Sequence, residues 1–149
     1  MLSMADELSM QFKSLYDDWG NAIASRDWDW LERHFAEDFL GTAQPWPTLS
    51  VNRQQMLDLD RKIEKMEVRW LTVTAHRFGD TVLASGVVQY HNEAFTPGAK
   101  IGEGMPSGDQ LSSFVNGKNV LYIGAWRQNG SDWQIYDHHM IGVVGGFDT

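Results

Sequence analysis

Cysteine is absent from the 149 residues. That excludes disulfides, thiolate nucleophiles and cysteine-ligated metals, and it agrees with a reducing compartment. Basic residues are scarce as well, with twelve Lys and Arg against twenty Asp and Glu, a formal net charge of -8. Such a field repels phosphate backbones, so nucleic acid is not an expected partner. No apolar run approaches the ~20 residues that cross a bilayer, and no membrane partner is expected. The first ten residues lack the basic start and apolar stretch of a secretory leader, so the expected location is the cytoplasm. There is no glycine-rich phosphate loop, nucleophile elbow or HExxH motif, which leaves nucleotide, serine-hydrolase and zincin readings without support.

What remains is a composition of 42% hydrophobic and 21% charged residues, ordinary for a globular chain and long enough for one domain over residues 1–149. Seven Trp stand out; large rigid rings fill cores, pockets and subunit interfaces alike. Leu8, Phe12, Leu15, Trp19 and Ile23 recur at three- and four-residue spacing, which predicts a helix from about Ala5 to Ser25. Asp27 is a natural N-cap for a second helix carrying Trp28, Leu31 and Phe35 and ending near Asp38. Gly41 to Ser50, with two prolines around Trp46, reads as irregular, and Ser50 or Asn52 caps a third helix through about Lys62.

From Glu67 the period changes to two, which predicts antiparallel strands for the remainder. A hairpin at Gly79-Asp80 would pair Thr74 with Ser85, Thr72 with Val87, Trp70 with Gln89 and Val68 with His91. Thr96 to Gly108 reads as a long exposed loop, a lid or a dimer arm. Strands are expected again at Leu111–Val115, Val120–Gln128 and Trp133–Val143, joined by Asn116-Gly117 and a turn at Asn129-Gly130-Ser131. A three-residue turn there would set Tyr122 opposite His138, Gly124 opposite Tyr136 and Trp126 opposite Gln134. The other face would carry Leu121, Ile123, Ala125, Trp133 and Ile135 with Asp137 and His139. Two apolar faces suggest helices on one and a second subunit on the other, hence a homodimer.

The stretch Ala22 to Gly41, AIASRDWDWLERHFAEDFLG, and the phrase Trp126 to Gly130 followed by Trp133-Gln134-Ile135 and a histidine, resemble the nuclear-transport-factor-two-like superfamily, particularly its SnoaL-like members. The resemblance covers nearly the whole chain. It implies an α+β fold: three N-terminal helices packed on a strongly curved mixed or antiparallel sheet, forming a cone-shaped half-barrel with an internal pocket. Members include isomerases, dehydratases, cyclases and epoxide hydrolases, besides modules that only bind or oligomerise. The base of ketosteroid isomerases has no carboxylate counterpart at Gly41-Thr42-Ala43-Gln44, and their oxyanion-holding Tyr matches Trp19, whose indole donates a hydrogen bond but accepts no proton. Gln89, Gly124 and Met140 stand where the association domain of calmodulin-dependent kinase II carries arginines, so a strongly anionic ligand is not implied.

With these registers the pocket face collects Trp19, Trp70, Gln89, His91, Tyr122, Trp126, Tyr136 and His138. The expected catalytic set is His138 as acid and base, with Tyr122 and Gln89 as hydrogen-bonding partners and His91 as the second candidate. Trp19, Trp70, Trp126, Tyr136 and Met140 would contact the substrate. The rival reading makes His138 a core histidine satisfied by Tyr122. His138 and His139 must point to opposite faces, which defeats a joint metal site, and no metal or cofactor is expected. The expected function is a cofactor-independent lyase, isomerase or dehydratase acting on a neutral hydrophobic or aromatic molecule, the alternative being a binding or dimerisation module.

Overall fold

In the computed structural model, which describes residues 2–147, the chain opens with a capping box. Ser3 Oγ accepts from the Asp6 N–H, and the Asp6 carboxylate accepts from the Ser3 N–H. Helix α1 (Met4–Ser25) follows, and its stripe buries Phe12, Trp19 and Ile23, with Tyr16 and Ala22 beside them. Asp27 caps helix α2 (Trp28–His34) by accepting from the Trp30 N–H. This helix ends earlier than expected, because the chain from Phe35 is captured by the sheet as strand β1 (Phe35–Ala43).

The segment expected to be irregular is instead the second arm of a hairpin, β2 (Trp46–Asn52). Pro47 is tolerated there because β2 lies at the sheet edge, where a missing N–H breaks no interior ladder. Asn52 then caps helix α3 (Arg53–Arg61), in a reciprocal box with Gln55. Strands β3 (Ile63–Phe78) and β4 (Thr81–Phe95) form the long hairpin that turns at Gly79-Asp80. After a loop over 96–107, which carries one isolated bridge between Lys100 and Ser107, comes helix α4 (Gly108–Val115). A strand was expected at Leu111–Val115; Ser107 and Gln110 close a capping box at its start and commit the segment to a helix. Strands β5 (Lys118–Asn129) and β6 (Asp132–Gly146) complete the chain.

The sheet is six-stranded and mixed, in the order β2-β1-β6-β5-β4-β3, with β1 parallel to β6 and every other pair antiparallel. It is not closed into a barrel. Helices and sheet together make an α+β layer arrangement, with the aromatic core between α1 and the inner sheet face. There Trp126 is fully buried, edge-on to Phe12 and Trp19, and donates its indole N–H to Tyr16 Oη at 3.0 Å. Gly124 leaves room for that bond, since a Cβ at this position would lie 2.8 Å from Tyr16 Oη.

Of the register shifts in the sheet, three set the face of the residues around the cavity. On β3 the extra residue is Leu71: Thr72 pairs with Val87 as expected, but Trp70 pairs with Val88. On β4 the extra residue is His91, and on β6 it is Tyr136. Each inserts one residue against none on the partner strand and so reverses alternation beyond it. The turn between β5 and β6 also has two residues rather than three, since Asn129 pairs with Asp132. Trp133 and Ile135 therefore point into the core, where Trp133 meets Phe12 at 5.0 Å, and not outward as the longer turn would have had them.

Candidate functional site

Between α1, α3, α4 and the inner sheet face lies a cavity of about 150 Å3. Its wall is mostly apolar, with Trp19 from α1, Met56 from α3, Leu111 from α4 and Trp70, Val88 and Met140 from the sheet. Ile101 of the 96–107 loop also reaches it. Few polar groups line the cavity, and several of them lack partners.

His138 is brought inward by the Tyr136 bulge. It pairs across the sheet with Gly124, not with Tyr122, which pairs with Met140. The diagonal placement lets the two rings stack, with centroids 4.7 Å apart and planes 4° from parallel, while Trp19 packs on the imidazole at 4.9 Å. Tyr122 thus holds the imidazole by its face. The Tyr122 hydroxyl is engaged instead with the hydroxyl of Tyr90, at 2.8 Å. His138 Nδ1 is shut off from solvent and has no hydrogen-bond partner. Burial, helped slightly by the neighbouring His139, pushes the His138 pKa down to about 3, so the ring is neutral at cellular pH.

Two carboxyls outside the expected site residues line the same cavity. Asp60 of α3 is 6% exposed, its Oδ2 has no partner, and desolvation, reinforced by the charge of Glu93, raises its pKa to about 8. Glu93 of β4 is 8% exposed; desolvation raises its pKa to about 7 against a weak opposing contact from Ser112 Oγ at 3.4 Å. The bulge at His91 turns Glu93 inward. The backbone groups freed there are taken up by the link between α4 and β5: Asn116 accepts from the Glu93 N–H and donates to the Glu93 carbonyl, and the Gly117 N–H donates to the Tyr90 carbonyl. A signal for Asp60 exists in the sequence, because it follows Met56 by four residues and Leu57 by three, on the apolar side of the helix.

Of the residues expected in the pocket, Trp19, Trp70, Tyr122, His138 and Met140 line the cavity. Trp126 lies behind the wall, in the core beneath α1. Tyr136 points outward, its hydroxyl 2.7 Å from Thr81 Oγ1 and the Arg127 guanidinium over its ring. Gln89 and His91 are on the outer side as well, bonded to each other at 2.8 Å. The expected register held from the turn to Thr72, but Trp70 lies beyond the Leu71 bulge and no longer shares a face with them. Among the described residues no group of three or more His, Asp or Glu is placed to hold a metal ion, and no helix is long and apolar enough to cross a membrane.

No protein-family model and no curated protein matches the chain. Solved structures do. An NTF2-like protein from Cytophaga hutchinsonii superposes with a TM-score of 0.66 at 14% identity, over 95% of this chain and 99% of that one. An NTF2-like protein of unknown function from Pseudomonas putida gives 0.61 at 17% identity, over 93% and 89% of the two chains. A nuclear transport factor 2 (NTF2-like) superfamily protein from Salmonella enterica gives 0.61 at 10% identity, over 89% of each. The chain has the nuclear-transport-factor-two-like fold, the architecture that the sequence resemblance implied. A shared fold of this kind leaves activity to be argued from the site.

Proposed function

We propose that the cavity is the active centre of a cofactor-independent enzyme of lyase, isomerase or dehydratase type, acting on a small hydrophobic or aromatic molecule whose reacting part is uncharged. The observation that carries this reading is His138, a neutral imidazole on an apolar wall with one ring nitrogen unsatisfied. That nitrogen donates or accepts one further hydrogen bond according to its tautomer, and a polar atom of a bound molecule would complete it. In the Tyr90–Tyr122 pair, the hydroxyl that accepts keeps its own proton for a third group, a donor suited to a developing oxyanion.

Single-ring ketones with exchangeable α-protons are suitable probes, followed by deuterium incorporation in D2O. His138→Gln is expected to slow exchange by roughly 10²–10⁴-fold with the thermal melt unchanged. Equal rates in both proteins would remove His138 from the chemistry. The second reading, a module that binds a small ligand without converting it, is favoured by the low basicity of His138, since a general base works best near the operating pH. A wild-type protein that binds these ketones without exchange supports it.

A second copy of the chain is the proposed partner. Leu40, Leu83 and Ile123, each 39–41% exposed, lie on the outer face of β1, β4 and β5, an unusual place for large apolar side chains unless they are covered. Sedimentation should give twice the mass of the chain, and Ile123→Lys should return it to the single mass. A wild-type monomer at micromolar concentration would refute the pairing.

A further inference from the structure

Resting on the reading of the cavity as a ligand site, we infer that its ligand carries a protonated basic nitrogen on a small apolar or aromatic body, with Asp60 and Glu93 anchoring the nitrogen. Both carboxyls are more than nine-tenths buried and line one cavity, yet Asp60 Oδ2 has no donor and Glu93 has only the long contact from Ser112. A buried polar group without a partner is costly, and packing alone gives no reason to place two carboxyls in one apolar space.

The surroundings supply no cation. Among the described residues no Lys or Arg lines the cavity. The other titratable groups on its wall are Tyr90 from β4, Tyr122 from β5 and His138 from β6, all neutral at cellular pH, while α1 and α4 present no charged side chain. An ammonium group provides up to three donors and one positive charge, so it satisfies both carboxyls together, and the aromatic faces of Trp19 and Trp70 favour a cation nearby. The Trp19 indole N–H, also buried on this wall, has no acceptor either, which is independent evidence that the cavity is furnished for a polar occupant. A cavity of about 150 Å3 takes a single ring with a short arm.

In the empty cavity Asp60 is largely protonated at neutral pH and Glu93 only partly so. An arriving ammonium favours their ionised forms, so binding expels protons and tightens as pH rises through about 7.

The test is calorimetric titration of the full chain with benzylamine and with benzyl alcohol, its uncharged counterpart, in two buffers of different ionisation enthalpy. Benzylamine is expected to bind at least about tenfold more tightly, to release protons to the buffer, and to gain affinity between about pH 6 and pH 8. Asp60→Asn and Glu93→Gln should each abolish that preference while still binding benzyl alcohol, which shows that the cavity is intact. Equal affinity for the two probes, or a preference that survives both substitutions, overturns the inference and leaves the cavity as a site for apolar ligands. Failure of both probes to bind at millimolar concentration overturns it together with the reading it rests on.

Discussion

Replacing Asp60 by asparagine should make the folded protein more stable at pH 8, by several kcal/mol, and change little at pH 4. In the folded state burial lifts the Asp60 pKa to about 8, whereas the unfolded chain returns it to the ordinary value of 3.8. Between those values the folded form holds a proton that the unfolded form has lost. Stability therefore falls as pH rises, at about 1.4 kcal/mol per pH unit where the difference is complete. Glu93 adds a smaller loss of the same sign, up to about 7. His138 acts in the opposite sense: its folded pKa is depressed, so its contribution is present above about 6.5 and is lost as pH falls towards about 3. The two effects oppose each other on the acid side, and above about 6.5 the carboxyls alone set the slope. Urea unfolding of wild type and Asp60→Asn across this range reads Asp60 together with its coupling to Glu93, while His138 cancels because it is present in both proteins. Parallel curves would mean that Asp60 is ionised and solvated, and with it the cavity chemistry derived above would fall.

Trp126→Ala is expected to cost about 3–5 kcal/mol, the range for removing a large aromatic side chain from a packed core. The ring is fully buried against Phe12, Tyr16 and Trp19, and its loss also leaves the Tyr16 hydroxyl, itself fully buried, without its donor. That is a large share of the roughly 5–15 kcal/mol by which domains are stable. Trp126→Phe keeps most of the volume and loses only the N–H, so it should cost less. The two midpoints in one denaturant series separate packing from hydrogen bonding. A loss below about 1 kcal/mol for the alanine variant would show that α1 does not depend on this contact.

Local chemistry was legible residue by residue. The stripe from Leu8 to Ile23, the caps at Asp27 and Asn52 and the Gly79-Asp80 turn are short-range features in which a few neighbouring side chains set the backbone. The structure keeps all of them. Strand parity was not legible over the same distance. His138 faces the cavity, as expected, only because the shorter turn and the Tyr136 bulge together shift the β5–β6 register by two residues, which restores the face. Nothing compensated on β4, so Gln89 and His91 went outward and Tyr90 came in.

The sequence by itself determined helices α1, α2 and α3, the strands β3 to β6, the α+β layering and the aromatic weight of the core, because these follow from periodicity and capping within a dozen residues, whereas β1, β2 and α4 were set by the sheet and by a loop-borne cap. Tertiary structure decided the site. The bulges at Leu71, His91 and Tyr136 arise where strands twist around a shared cavity, and each moves a side chain across the sheet without leaving a mark in composition. Asp60 and Glu93, far apart in the chain, become a buried pair only when α3 and β4 enclose one cavity, and the missing solvent gives them their chemistry.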